Sequence, residues 1–167
     1  LDLALLIAAI VGLGWAGVFL AVGVNILALL AHSISIAARY DDILTDAAVQ
    51  NGSDRKEMKS LAKRLQSRGG SFKAFGPIKT AYLIKYLSQR GRSASEIEVM
   101  APHVADLWVI FRPDLESLVE KFDRLLRLSG ASAIEAQRVA DVLTTATQRS
   151  SATFDEMIDG MLAFYDP

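Results

Sequence analysis

Residues 3–31 read LALLIAAIVGLGWAGVFLAVGVNILALLA, and this stretch decides the fold class. It contains no charged side chain and one strongly polar one, Asn25. A helix that crosses a membrane needs about 20 apolar residues at ~1.5 Å of rise each, so the stretch is long enough. The apolar part of a cleaved signal peptide has only about 7–15 residues. The sequence therefore predicts a transmembrane helix, and we assign residues 1–38 to the membrane anchor.

One face of this helix carries small and polar residues at spacings of three and four. These residues, the predicted helix-packing face, are Gly17, Ala21, Asn25, Ala28 and His32. Helices in lipid associate through close packing of small residues and a few interhelical hydrogen bonds, and an asparagine in hydrocarbon needs a partner. We therefore predict that another transmembrane helix, from a second copy or a partner subunit, packs here. Glycine and alanine are also common in membrane helices, so chance can produce the same spacing.

The charges that flank the apolar stretch indicate its orientation. The N-terminal flank holds Asp2 and no Lys or Arg, whereas Arg39 and a dense basic stretch from Arg55 onward follow the span. Positive charge near a span favours the cytoplasmic side. The predicted localisation is a single-pass integral membrane protein in contact with membrane lipid, with its helical domain in the cytoplasm.

Beyond the anchor, no segment alternates with period two, and the apolar residues keep helical spacing. Residues 39–52 continue the first helix as a stalk that ends near Asn51. Later helix starts are predicted at Ser53-Asp54, Gly76-Pro77, Ser93-x-x-Glu96, Arg112-Pro113-Asp114, Ser132-x-x-Glu135 and Thr153-x-x-Glu156. Pro102 should kink or divide the helix at about 95–111. The prediction is an all-α protein with one N-terminal transmembrane helix followed by a helical bundle outside the membrane.

Apolar stripes indicate which face of each helix turns inward. In the helix after Asp54 the stripe is Met58, Leu61, Ala62 and Leu65. In the helix at 113–129 it is Leu115, Leu118, Val119, Phe122, Leu125 and Leu126. A thinner stripe in the helix at 132–149 is Ile134, Val139, Val142 and Leu143. We predict that these side chains form the core of the bundle.

The net charge of −1 hides two oppositely charged segments. Residues 54–92 contain eleven Lys and Arg and two acids, whereas residues 93–167 contain six and thirteen. We therefore divide the part outside the membrane into a helical stalk at 39–52, a basic helical module at 53–92 and an acidic helical bundle at 93–167. The predicted basic surface consists of Arg55, Lys56, Lys59, Lys63, Arg64 and Arg68.

Three uses compete for this basic module. Its first helix could lie on anionic lipid, although its apolar face is small and lacks aromatic residues. Tyr82, Tyr86 and Phe72 could stack on nucleic acid, but no nucleic-acid motif is present and the acidic bundle would repel phosphates. The basic helices could instead dock on the acidic helices of the same chain or of a partner. We favour docking and disfavour nucleic acid.

The sequence offers no catalytic constellation. It has no cysteine and two histidines, which excludes thiolate metal sites, cysteine nucleophiles and disulfides. The stretch GLGWAG at 12–17 matches a dinucleotide motif in letters only, because it lies inside the apolar run with no strand before it. His103 and Asp106 could share a helix face, and Asp41, Asp42 and Asp46 read as a solvated acidic cluster. We predict no enzyme, no cofactor and no metal site.

These features predict a structural role. The chain would be an accessory subunit or adaptor of a larger membrane assembly, alone or as a homo-oligomer, bound to other transmembrane helices. The alternative is a membrane-tethered binder that uses residues 54–92 on anionic lipid or nucleic acid. A third possibility is an oligomeric membrane effector or pore, for which Asn25 and His32 provide little polar lining.

Overall fold

The computed structural model describes the backbone of residues 3–165 and the side chains of residues 22–165. Within this range the chain forms seven α-helices, one 3₁₀ turn and no strand, so the predicted all-α class is confirmed. The helices are α1 (Leu3–Asn51), α2 (Arg55–Ser67), α3 (Ser71–Gln89), α4 (Ala94–Phe111), α5 (Leu115–Leu128), α6 (Ala136–Arg149) and α7 (Phe154–Tyr165). The 3₁₀ turn is Ala133–Glu135, directly before α6.

The chain divides into two compact units, with the boundary between Arg39 and Tyr40. The first unit contains the apolar part of α1. The second unit contains the last turns of α1 and the other six helices. The finer division of the second part at residues 52 and 92 stays a prediction.

The last turns of α1 belong to the core of the second unit. Ile43, Leu44, Ala47 and Ala48 are at most 5% exposed, and the helix ends at Asn51, as the sequence indicates. The spacing of these four residues puts them on one side of the helix. The segment that we assigned to a stalk therefore packs against the helices that follow it.

Helix α2 agrees with its sequence pattern, and α3 differs at its start. The Asp54 carboxylate accepts a hydrogen bond from the Lys56 backbone N–H and caps α2, whose four predicted apolar residues are fully buried. Helix α3 begins at Ser71, earlier than predicted, because a turn of helix precedes Gly76. Gly76 has a φ of 76°, which breaks the helix, and Pro77 restarts it.

The predicted capping box begins α4. The Ser93 backbone N–H donates to the Glu96 carboxylate at 2.9 Å, and the Glu96 N–H donates to Ser93 Oγ at 3.3 Å. The expected division at Pro102 is wrong, because α4 runs without a break from Ala94 to Phe111. A proline removes one backbone hydrogen bond, and the buried residues Ala101 and Val104 on either side hold the helix in the core.

Helix α5 begins two residues later than Pro113. Asp114 is its N-cap and accepts a hydrogen bond from the Ser117 N–H at 2.9 Å, so Pro113 lies outside the helix. The predicted stripe faces inward: five of its six residues are buried and Leu115 is half-buried. In the box that begins α7, the Thr153 backbone N–H donates to Glu156 at 2.8 Å, and the box at Ser132 makes the same bond to Glu135.

The stripe predicted for α6 is wrong in two of its four positions. Ile134 is 81% exposed and Val142 is 50% exposed, whereas Leu143 is buried. The buried face consists of Ala133, Ala136, Ala140 and Leu143. The 3₁₀ turn has three residues per turn, which shifts Ile134 outward, and the alanines let α6 approach α4 closely.

Candidate functional site

From Val22 onward, the apolar part of α1 is uncovered. The segment Val22–Asn51 has a mean hydropathy of 1.5, and no residue of its most apolar 18-residue window is buried. Leu27, Leu29 and Ile34 are 66%, 66% and 68% exposed. By length and composition, the protein therefore has one helix near its N-terminus that could span a membrane, within the described residues.

The predicted helix-packing face is described only in part. Gly17 and Ala21 lie outside the residues whose side chains are described. Of the others, Asn25 is half-buried, and Ala28 and His32 are exposed. The contact with another transmembrane helix stays a prediction.

Four of the six residues of the predicted basic surface form ion pairs with acids of the same chain. Arg55 and Lys59 both contact Asp41 of α1, at 2.7 and 2.8 Å. Arg64 and Arg68 both contact Glu98 of α4, at 2.9 and 3.5 Å. Lys56 and Lys63 are exposed and form no ion pair within the described part of the chain. The apolar face of α2 is buried in the core, so it is not free to enter lipid.

A buried acid joins the end of the basic segment to α5. Asp123 has a side chain that is only 4% exposed, and it accepts from Arg92 Nε at 2.6 Å and from Arg127 Nε at 2.8 Å. Arg92 also contacts Glu96 at 2.9 Å. The Asn51 side-chain amide donates to the backbone oxygen of Arg92 at 2.6 Å, which ties the end of α1 to the same point. This network connects the end of α1, the turn before α4, and α5.

The ion pair between Arg64 and Glu98 changes the pKa of Glu98, which can be measured. The hydrogen bonds from Arg64 lower the pKa of the Glu98 carboxyl, and the charge of Arg64 acts in the same direction. Because the folded-state pKa is lowered, the pair stabilises the fold above the unfolded pKa and this contribution is lost as the pH falls through the folded pKa. In an Arg64→Gln variant we expect the pKa of Glu98 to rise toward its ordinary value, as measured by carbon-detected NMR titration.

The matched control for this titration is Lys63→Gln, which removes the exposed cation next to Arg64 that forms no ion pair with Glu98. It should leave the Glu98 titration almost unchanged. An equal shift in both variants would mean that general charge, rather than the hydrogen-bonded pair, sets the pKa.

Trp108 has two cations close to its ring. Lys79 Nζ is 4.0 Å from the centre of its ring and Arg112 Cζ is 4.4 Å from it. The Phe75 ring packs edge-on at 5.1 Å. Arg112 has a φ of 54°, and it is the only non-glycine residue with a positive φ in the described part of the chain. Sequence reasoning missed this cluster, because Phe75 and Lys79 of α3 are about 30 residues from Trp108 and Arg112 in the sequence.

Three of the acids considered for chemistry form hydrogen bonds or ion pairs with neighbouring side chains. Asp106 accepts a hydrogen bond from Ser71, and burial lowers the pKa of His103. Asp41 and Asp46 form ion pairs with cations of α2 and α3. Between residues 22 and 165, no three His, Asp or Glu side chains are grouped so that they could hold a metal ion.

Two shallow grooves lie beside α6. One, of about 660 Å³, runs along its outward face past Ile134, Arg138 and Val142. The other, of about 420 Å³, lies between α5, α6 and α7 and is bordered by Met161 and Phe164. Both grooves are open, and neither contains a group of converging titratable side chains that resembles a catalytic site.

Comparison with known proteins gives no match: no family model, no curated protein and no solved structure matches the chain. No relative therefore lends this chain a function.

Proposed function

We propose that this protein is a membrane-anchored, all-helical accessory subunit or adaptor of a larger membrane assembly. The apolar part of α1 is its anchor and the second unit is its domain outside the membrane. The domain acts by binding other proteins and not by catalysis.

The observation that carries this proposal is the contrast between the two units. The apolar window of α1 has no buried residue, whereas the second unit has a core that includes Phe122, Leu83 and Met100, all below 2% exposure. A core helix of a soluble protein would be covered by its neighbours. Uncovered leucine and isoleucine side chains are stable in hydrocarbon, where lipid tails replace the missing contacts.

The ion pairs of the basic segment support docking over binding to a polyanion. Arg55, Lys59, Arg64 and Arg68 already contact acids, so much of the positive charge is neutralised within the chain. Exposed ion pairs contribute only about 0–1 kcal/mol each, so their main effect is to fix which helices meet. Complementary charges between two proteins fix their relative position in the same way, as an accessory subunit beside a partner requires.

The proposal is tested by purifying the full chain from its native membrane in mild detergent. Mass spectrometry of the purified sample should find other membrane proteins at fixed stoichiometry, and the same proteins should be present after a second, orthogonal purification. A monodisperse monomer without any partner in both preparations would contradict the accessory role.

The predicted helix-packing face provides a variant test of the assembly. Gly17→Leu and Ala21→Leu should each reduce co-purification of the partner, because a bulky side chain separates the helix backbones and forfeits packing that lipid does not replace. The controls Val18→Leu and Val22→Leu add volume at neighbouring positions and should have smaller effects. Equal losses in both sets would show that this face is not the contact.

A further inference from the structure

The second unit begins at Tyr40. Contacts within this unit show which other residues lie at the same end as Tyr40, which we call the entry end. Helix α3 runs alongside the last turns of α1 in the same direction, because Lys85 contacts Asp46 at 2.8 Å and Ser88 accepts from Asn51 at 3.4 Å. Lys79 precedes Lys85 by six residues, and Tyr40 precedes Asp46 by six. At ~1.5 Å of rise per residue, Lys79 therefore lies at about the level of Tyr40.

Helix α4 returns to this same end. Ser71 donates to Asp106, and the rings of Phe75 and Trp108 are 5.1 Å apart. The first turns of α3 and the last turn of α4 are therefore neighbours. They bring together three cations, Lys73, Lys79 and Arg112, which we call the entry-end cations. All three are exposed.

The entry-end cations differ in their surroundings from most basic residues at 54–92, although Lys56 and Lys63 also form no ion pair among the described residues. Most cations of residues 54–92 form ion pairs, whereas none of these three has an acid within ion-pair distance in the described part of the chain. Of the acids at this end, Asp106 accepts from Ser71 and Asp114 caps α5, whereas Asp42 is exposed. Lys79 and Arg112 instead share the Trp108 ring.

We propose that Lys73, Lys79 and Arg112 bind the anionic headgroups of the membrane that holds the anchor, an inference that rests on the proposed function. Residue 40 follows directly after the apolar unit, so this end of the domain is tethered within a few residues of the lipid surface. Such a tether gives a high effective concentration of headgroups. Clusters of Lys and Arg immediately beside a span are attracted to anionic lipid.

The geometry favours headgroups over nucleic acid. Binding of single strands uses open aromatic faces on which bases stack. Trp108 is only 8% exposed, and two cations and Phe75 cover its ring. What remains accessible at this end is positive charge without an aromatic platform, which suits phosphate groups at a surface.

The experiment uses the full chain in nanodiscs of neutral phosphatidylcholine, or of the same lipid with about a third of phosphatidylglycerol. Lysine acylation by a water-soluble reagent is followed by mass spectrometry. We expect acylation of Lys73 and Lys79 to be at least about threefold slower in the anionic discs than in the neutral discs. The reason is that each cation near the surface raises the affinity for anionic lipid about fivefold. Salt at about 1 M should remove the protection, because it shortens the screening length to ~3 Å.

Lys121 is the internal control. It follows Glu120, which contacts Arg90 just beyond the end of α3, so it lies at the level of the other end of α3 from Lys79. It pairs with Asp159 at 2.7 Å. Its acylation should be the same in both discs. The headgroup contact would be contradicted if Lys73, Lys79 and the control lysine were each acylated at the same rate in anionic as in neutral discs that contain the protein. That result would not contradict the anchor.

Two other outcomes would also overturn the proposal. Failure of the chain to enter nanodiscs at all would refute the anchor and, with it, this contact. Protection of Lys73 and Lys79 by a single-stranded oligonucleotide in neutral discs, with none from phosphatidylglycerol, would assign the cations to nucleic acid. An Arg112→Gln variant that keeps its thermal transition should lose part of the protection at Lys79, whereas Lys121→Gln should not change it.

Discussion

Replacing Asp123 with alanine should lower the free energy of unfolding by about 3 kcal/mol. The side chain is 4% exposed and accepts hydrogen bonds from two arginines, of which Arg92 is itself only 12% exposed. Removing the acid leaves a largely buried guanidinium without its shortest contact, and that loss is costly in a poorly solvated site. Arg92 keeps Glu96 at 2.9 Å, so we place the effect at the low end of the range for a broken buried pair.

Urea unfolding of the full chain in detergent measures this effect. The chain has two tryptophans, so a Trp15→Phe background leaves Trp108 as the single reporter of the second unit. The matched control is Glu120→Ala, which removes an acid of the same helix whose side chain is 54% exposed and which contacts Arg90 at 2.9 Å. That variant should lose no more than about 1 kcal/mol. Equal losses for the two variants would mean that Asp123 has no special structural role.

Local sequence signals predicted the helices well, because the groups that fix a helix end are close in sequence. The box from Ser93 to Glu96 and the cap at Asp54 both form as expected. The buried face of α2 also follows from its spacing, since a 3.6-residue period alone puts Met58, Leu61 and Leu65 on one side. These features need no knowledge of the neighbouring helices.

Features that depend on tertiary packing were not predicted. Val142 looks apolar enough for a core position, but alanines at 136 and 140 set the face that α6 turns toward α4. Pro102 has the chemistry of a helix breaker, yet buried neighbours hold α4 together across it. In both cases the energy of packing decides the outcome, and the residues that supply it are distant in sequence.

The sequence predicted the excess of positive charge, but it did not predict which acids pair with which cations. The excess of Lys and Arg at 54–92 is plain in the sequence, and the acidic bundle was the expected docking surface. Glu98 and Glu120 do supply contacts from that bundle, but Asp41 and Asp46 of α1 supply others. The side chains that meet depend on α1 lying beside α2 and α3. A net charge along the sequence contains no such information.

Labelling of single cysteines should show the largest contrast between the two units. The chain has no cysteine, so each introduced thiol is read without background. Leu27 and Leu29 are both 66% exposed in the folded chain, and Val49 is 79% exposed. If no bilayer surrounds α1, all three positions are accessible to water, and all three thiols react quickly with a hydrophilic maleimide. If α1 spans a bilayer, hydrocarbon covers the first two and excludes both the reagent and the water that a thiolate needs.

The measurement is the maleimide reaction rate of Leu27→Cys, Leu29→Cys and Val49→Cys in membranes opened so that both faces are accessible. Full reaction of every variant after denaturation confirms that each thiol is intact. We predict that the cysteines at 27 and 29 react at least about tenfold more slowly than the cysteine at 49, because the hydrocarbon core is ~30 Å thick and contains almost no water. Reaction of all three at the same rate would contradict the membrane anchor.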